Sequence, residues 1–313
     1  MKKIIVKKIL NLLDKKGFQR KPLGNDPKVE LYEEMKKVFL PKNQEIISVI
    51  FSKDRAMQLD GFLASYFENV KNYSEIIVLY YVSNDSHRKS YDDLVKIYAD
   101  LPVKFIAETQ FRNDLITSLE NTVQDRVMFY VDDMLFSQKI DYNWFKNINP
   151  LDDIVSLSRG KDFSFSTVLS KELKIPHLNP ISENLFRFQW NEIQEFSDWT
   201  YPIGVSGYMF SKTEILAMMK ATPFKAPNSL ESNLQAFLPY FSNRGGICLE
   251  NVATPCVHTN LTQTEGYNNV LGHYSLEELL VLWNENKRIN FREFVGLHVT
   301  EAEVKKYNFI ERV

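Results

Sequence analysis

The feature that most constrains this chain is an apolar run that ends in two adjacent carboxylates, "RVMFYVDDMLF" at residues 126–136. Residues 127–131 have the length and composition of a strand buried on both faces. Asp132 and Asp133 follow directly and repel one another. Two interpretations are open. The pair caps a turn or a helix, or it binds a divalent cation at the carboxyl end of a parallel strand, where open α/β sheets hold their ligands.

Apolar and amphipathic segments alternate before this pair. Buried strands are predicted from "EIISVIFS", "SEIIVLYYVS" and "VKFIAE", and helices from the intervening "DRAMQLDGFLASYFENV", "SYDDLVKIYADL" and "RNDLITSLENTV". Strand and helix in strict alternation predict an α/β protein with a parallel sheet and right-handed crossovers.

The pattern beyond Phe136 is irregular until about residue 200. Regular elements are then predicted again: a strand in "GVSGYMFSK", a helix in "TEILAMMKATPF", and strands in "GGICLENVA" and "PCVHTN". Near the end of the chain, Ser275 and Glu278 form a capping box that predicts a helix starting at "LEELLVLWNENK".

Composition excludes several classes of protein. A net charge of -2 argues against general affinity for nucleic acid. Cys248 and Cys256 are too few for a disulfide framework and favour a reducing, cytoplasmic compartment. No run approaches the ~18 apolar residues that a membrane-spanning helix needs.

The amino-terminal segment, residues 1–22, combines many lysines with an apolar stripe at helical spacing. Such a basic amphipathic helix packs its stripe on the domain, or it attaches the protein to an anionic membrane surface. The second alternative predicts a peripheral protein at the inner face of the cell membrane.

The order of three motifs resembles the nucleotide-sugar half of GT-A glycosyltransferases. The motifs are "FSKDR" after the first strand, "YVSNDS" after the second, and "FRNDL" opening the helix ahead of the two aspartates. The resemblance covers residues 45–137 well and residues 200–260 loosely. It implies a mostly parallel central sheet flanked by helices, with helical appendages at both ends.

In this interpretation, residues 1–43 form the basic helix and a linker, and residues 44–272 form the GT-A domain. Within the domain, residues 44–137 bind the donor and residues 138–272 the acceptor. A helical segment, residues 273–313, follows. The implied activity is transfer of a sugar from a nucleotide-sugar donor to a glycan or glycolipid acceptor, in bacterial-type surface polysaccharide synthesis.

The resemblance also assigns roles to individual residues. Asp132 and Asp133 resemble the DXD acids that bind the ribose and a Mg²⁺ or Mn²⁺ ion. A third acid is missing, since Val131 and Met134 cannot bind a hard cation. We therefore expect Asp133 to bind the metal, and Asp132 to contact either the ribose or one of the metal ligands. The implied donor-binding set is Ser52, Lys53, Arg55, Asp85, Arg112, Asn113 and Asp132.

Two later residues complete the predicted site. Glu231 starts a predicted helix where many inverting relatives place a catalytic base, although an acid is also common in any first helical turn. His258 ends an apolar segment where many relatives supply a third metal ligand, although a lone histidine is often structural. Three aromatic residues either stack on an acceptor sugar or pack in the core: Trp190, Trp199 and Tyr201.

Other classes of protein compete with this interpretation. A dinucleotide-binding enzyme requires a glycine-rich turn after its first strand, and "FSKDRAMQ" has no glycine. A phosphatase or phosphotransferase with an aspartyl nucleophile remains open because Asp54 follows that strand. A sugar- or nucleotide-binding protein that lost the chemistry is the non-catalytic alternative.

Overall fold

The computed structural model describes residues 32–33, 36–260, 262, 274–301, 304 and 307–312. The predicted basic helix at residues 1–22 lies outside this part of the chain. Within the described residues, none of the helices has the length and apolar character needed to cross a bilayer.

Helices and strands alternate from residue 46 to residue 131, apart from one additional two-residue strand. The α-helices are α1 Ala56–Asn69, α2 Asp85–Ile97, α3 Phe111–Glu120, α4 Lys212–Ala221, α5 Pro227–Leu234, α6 Leu238–Phe241 and α7 Leu276–Asn284. The strands are β1 Ile46–Lys53, β2 Val70–Lys71, β3 Ile76–Tyr81, β4 Val103–Ala107, β5 Arg126–Val131, β6 Ile140–Asp141, β7 Asp153–Gly160, β8 Phe165–Ser166, β9 Lys171–Glu172, β10 Asn179–Pro180, β11 Leu185–Gln189, β12 Tyr208–Ser211, β13 Gly245–Leu249, β14 Lys287–Ile289 and β15 Phe309–Glu311.

A nine-stranded sheet in the order β10-β11-β13-β7-β12-β5-β1-β3-β4 forms the centre of the molecule. Strands β4, β3, β1 and β5 are mutually parallel, and β12 runs antiparallel between β5 and β7. The α/β class with a mostly parallel sheet flanked by helices is therefore confirmed.

The position of β1 in this order locates a ligand cleft. The chain leaves β1 for β3 and β4 on one side and returns to β5 on the other side. Crossover helices on opposite faces leave a crevice at the carboxyl ends of the strands where such an order reverses. Residues that follow β1 and β5 line this crevice.

Two apolar layers hold the sheet rigid beneath the crevice. On one face, Phe62 and Tyr66 of α1 pack against Tyr130 of β5. On the other, Phe51 of β1 contacts Phe111 of α3. Within β1, Ile50 belongs to the first layer and Phe51 to the second, as the two-residue strand period requires.

The structure corrects two predictions in the second half of the chain. The segment 137–200 is less irregular than predicted, because it contributes β7 and β11 to the central sheet. The buried serines Ser156 and Ser158 interrupt the apolar pattern of β7 and conceal it in the sequence. The predicted strand at 255–260 is wrong, since only an isolated bridge joins Cys256 to Met134. The capping box of Ser275 with Glu278 at the start of α7 is confirmed.

Candidate functional site

Asp132 lies at the floor of the crevice between β1 and β5. Its Oδ2 atom accepts hydrogen bonds from the Ser52 hydroxyl at 2.8 Å and the Lys53 backbone amide at 3.3 Å. Burial raises the pKa of Asp132 to about 6, with a further increase from Asp133 and an opposing effect of Arg55. Nearby positive charge keeps this pKa from rising further, so the carboxylate is mainly ionised at neutral pH.

Arg55 supplies that charge to both aspartates. Its Nη1 atom lies 3.1 Å from Asp132 Oδ1 and 2.9 Å from Asp133 Oδ2. Burial alone lowers the pKa of Arg55, but the two carboxylates raise it above its ordinary value. Nε of Arg55 also donates to Asn260 Oδ1 at 2.9 Å. Formal charges of -2 and +1 leave this buried group with a net negative charge.

The turn after β1 is built to place Arg55. Asp54 adopts a left-handed φ of 57°, which redirects the chain into α1. The Asp54 carboxylate accepts a 2.7 Å hydrogen bond from the Ser83 amide, and the Tyr91 hydroxyl accepts one from the Arg55 amide at 3.2 Å. Asp54 is therefore engaged in holding the ends of β1 and β3 together.

Asp133 has the donor atoms of a metal site around it. Ligand atoms of Asp133, Cys256 and His258 all lie within 4.8 Å of one another, and His258 Nε2 is 3.8 Å from Asp133 Oδ2. Oδ1 of Asp133 is buried and has no hydrogen-bond partner among the described residues. A buried carboxylate oxygen without a partner is costly, so these residues fit a divalent cation. Cys256 was missed in the sequence; the only signal was its position two residues before His258.

A second polar group surrounds Glu231 of α5. The Tyr201 hydroxyl and the Val205 amide donate to its carboxylate, and the charge of Arg159 acts on it. Burial raises the pKa of Glu231 to about 7 against these three lowering effects. Its side chain nevertheless retains some accessible surface. Burial, followed by the charge of Glu231, raises the pKa of Tyr201 as well, which keeps its hydroxyl protonated.

Topology relates this group to the aspartates. Tyr208, the first residue of β12, pairs with Phe129 of the antiparallel β5, and the Gly207 amide donates to the Phe129 carbonyl at 2.7 Å. The loop 201–207 therefore lies beyond the carboxyl end of β5, where Asp132 is located. Because Glu231 contacts this loop, both groups belong to the same edge of the sheet.

The remaining predicted donor residues lie around or outside this centre. Lys53 places its Nζ atom 5.5 Å from the centroid of the Tyr81 ring, and Asp85 is exposed at the start of α2. Arg112 donates to three carbonyls at the end of α4, Met219, Lys220 and Thr222. The amide of Asn113 donates to Gln110. Donor binding by these four residues remains a prediction.

The prediction of sugar stacking by the two tryptophans is wrong. Trp190 and Trp199 are 1% and 0% exposed, and both rings pack edge-on against Phe188. A buried indole offers no face to an acceptor, so core packing, the other alternative, applies. Tyr201 is partly exposed, and its hydroxyl serves Glu231.

One curated protein is similar to about two thirds of the chain. Over 224 residues, the chain is 28% identical to the bifunctional glycosyltransferase pgtA of Dictyostelium discoideum. The resemblance to glycosyltransferases is confirmed. The match covers 66% of this chain but 27% of pgtA, so the chain spans about a quarter of that protein. No family model matches the chain.

Two solved structures illustrate the similarity of fold. TarS 1-349 of S. aureus in complex with UDP-GlcNAc aligns with a TM-score of 0.41 at 13% identity, over 67% of this chain and 57% of that one. The mannosyltransferase PcManGT of Pyrobaculum calidifontis, in complex with GDP-Man and Mn²⁺, aligns with a TM-score of 0.40 at 14% identity, over 72% and 63%.

Proposed function

We propose that this protein is a nucleotide-sugar-dependent glycosyltransferase whose donor binds in the crevice between β1 and β5. The observation that carries the proposal is the buried group of Ser52, Arg55, Asp132 and Asp133 at the reversal of strand order. The similarity to a glycosyltransferase over two thirds of the chain supports the same class of reaction.

Asp132 and Asp133 have different roles in binding the donor. Asp132, fixed by Ser52 and the Lys53 amide, presents hydrogen-bond acceptors to the ribose hydroxyls. Asp133 and His258 hold the divalent cation, Mg²⁺ or Mn²⁺. When bound, the cation supplies positive charge that stabilises the departing nucleoside diphosphate. Arg55 opposes the rise in the pKa of Asp132 and adds a positive charge at the same place.

Glu231 acts as the general base on the acceptor hydroxyl. A base works best when its pKa lies near the operating pH, and a value of about 7 meets that condition. The hydroxyl of Tyr201 fixes the orientation of the carboxylate. Attack from the side opposite the diphosphate inverts the anomeric configuration, so we assign an inverting mechanism.

A glycan or glycolipid of a bacterial-type surface polysaccharide is the proposed acceptor, and residues 1–22 are the proposed membrane contact.

A donor screen tests this function. Nucleoside diphosphates and their sugar conjugates, each with and without Mn²⁺, are compared by thermal shift, because a ligand that binds the native state raises the melting temperature by mass action. Stabilisation by one nucleotide class is expected, followed by sugar transfer when acceptors are added. The matched variants are Asp132→Asn, which should lose the stabilisation, and Asp92→Asn on the exposed surface of α2, which should keep it.

Two outcomes would contradict the proposal. Stabilisation by phosphate-ester analogues, with none by nucleotides, would favour the aspartyl phosphotransferase alternative. Nucleotide binding with no transfer to any acceptor would identify a binding protein.

A further inference from the structure

The segment that carries Cys256 and His258 is fixed against the aspartate turn by its backbone. Leu135 donates its amide to the Pro255 carbonyl at 2.9 Å, and Val257 donates to the Asp133 carbonyl at 2.7 Å. Met134 and Cys256 face one another in an antiparallel bridge. These contacts hold the three donor side chains beside one another without any ligand.

The Cys256 side chain changes the chemistry of the site. Magnesium prefers oxygen ligands almost exclusively, whereas zinc and cobalt bind sulfur and imidazole nitrogen well. One carboxylate, one imidazole and one thiol lie within 4.8 Å of one another here. A set with two non-oxygen donors is typical of a borderline-soft cation.

A second observation points to a cation at the same place. Asp133 Oδ1 is buried and lacks a hydrogen-bond partner among the described residues, while Arg55 donates to Oδ2. The unsatisfied oxygen belongs to the residue that sits beside both Cys256 and His258. Three protein ligands also leave a coordination position open, as in zinc sites that bind a substrate.

We propose that Asp133, Cys256 and His258 form a three-ligand site that binds Zn²⁺ or Co²⁺ in preference to Mg²⁺. The inference rests on the metal site of the proposed function and names Cys256 as its third ligand. It does not depend on the transfer reaction.

Cobalt spectroscopy tests the proposal directly. Metal-free full-length protein titrated with Co²⁺ should develop a sulfur-to-cobalt charge-transfer band in the near ultraviolet, saturating at one equivalent. Cys256→Ala should abolish the band. The matched control is Cys248→Ala, in the buried strand β13 with the chain's other thiol, and it should retain the band. Zn²⁺ should displace Co²⁺ at a concentration at least ~100-fold lower than Mg²⁺, as the preference for nitrogen and sulfur ligands implies.

The unmodified protein provides a test that does not require the variant to fold. Zn²⁺ should slow alkylation of Cys256 by iodoacetamide under native conditions, as read by peptide mass spectrometry, and Mg²⁺ should not. Absence of the charge-transfer band, its survival in Cys256→Ala, or equal displacement by Mg²⁺ would overturn the inference. Nucleotide binding and sugar transfer without the band would leave the proposed function standing, whereas the band without nucleotide binding would remove only that function.

Discussion

Arg55 Nη1 lies 2.9 Å from Asp133 Oδ2, although 78 positions separate these residues in the chain. The same nitrogen contacts Asp132, so one guanidinium compensates two buried carboxylates. Ion pairs therefore connect the ends of β1 and β5, in addition to the hydrogen bonds between the two strands. Without the Arg55 guanidinium, the two buried carboxylates would repel one another strongly, because the protein interior screens charge poorly.

Replacing Arg55 tests that compensation. Arg55→Met should lower the free energy of unfolding by about 3 kcal/mol or more, because it leaves uncompensated buried carboxylates. Addition of a divalent cation should restore part of the loss by binding to the same pair. Chemical denaturation with and without metal is the measurement. The control is Arg292→Met, whose partner is Glu68 in an exposed ion pair, so this substitution should change the stability far less than Arg55→Met. Equal stability of the two variants would contradict the prediction.

Asp133 should determine the metal dependence of nucleotide binding. Asp133→Ala removes a carboxylate ligand without cutting into the apolar layers, so the fold should survive while the metal-dependent part of binding disappears. Calorimetric titration with a nucleoside diphosphate, with and without Mn²⁺, measures that part. Asp92→Ala, on the exposed surface of α2, should bind like the unmodified protein. Unchanged metal-dependent binding by Asp133→Ala would mean that the aspartate pair only caps its turn.

The amino-terminal prediction can be tested independently. Each Lys or Arg near an anionic membrane contributes roughly 1 kcal/mol at low salt. Deletion of residues 1–22 should therefore release the protein from anionic liposomes in a sedimentation assay and leave transfer to a soluble acceptor intact. If the untruncated chain does not bind liposomes, or the truncated chain binds equally well, the membrane interpretation is wrong.

The sequence predicts the donor half of the fold because each signal there is local. The strands β1, β3 and β5 are short apolar runs. Ser52 lies near the end of β1, Asp132 follows β5, and Asp85 starts the helix after β3. Parallel strands must bring such residues to one edge, so the crevice follows from the pattern alone.

The rest of the site depends on contacts between distant segments. An isolated antiparallel β-bridge to Met134 brings Cys256 to Asp133, and no periodicity in "PCVHTN" predicts that bridge. Arg112 has the sequence context of a phosphate ligand, yet it caps the carbonyls at the end of α4. Trp190 and Trp199 are large enough to serve a surface or a core, and only the packing of the sheet decides between them.

Tyr201 should tune the basicity of Glu231. Its hydroxyl donates to the ionised carboxylate, and a hydrogen bond to a charged group contributes about 1.5–3 kcal/mol. Tyr201→Phe should therefore raise the pKa of Glu231 and move the acid limb of the pH–rate profile upward by roughly one to two units. At high pH, where Glu231 is ionised in both proteins, the turnover rates should converge. The control is Tyr73→Phe, whose ring packs against Phe67 of α1, and it should leave the limb in place. An unshifted limb in Tyr201→Phe would show that this hydroxyl does not act on the base.

Glu231 should set both the rate and its dependence on pH. If Glu231 is the base, turnover should rise with pH to a plateau above about 7, the pKa to which burial raises this carboxyl. Glu231→Gln keeps the size and a hydrogen-bond acceptor for Tyr201 but removes basicity. It should bind donor nearly normally and transfer sugar at least ~100-fold more slowly, without the acid limb. Glu195→Gln, in an exposed loop, should behave like the unmodified enzyme.

The same residue gives a prediction for stability that requires no substrate. Because the pKa of Glu231 is higher in the folded state than the ordinary value of 4.5, the folded protein binds more protons between these values, and its stability falls as pH rises from about 4.5 to 7. Glu231→Gln carries no such proton, so its stability relative to the unmodified protein should increase across this window and then level off. Denaturation curves at pH 5 and pH 8 measure the difference. A stability difference that does not change with pH would contradict the role of Glu231 as the base. Normal turnover by Glu231→Gln would contradict it too. A first product that retains the donor's anomeric configuration by NMR would exclude an inverting transfer.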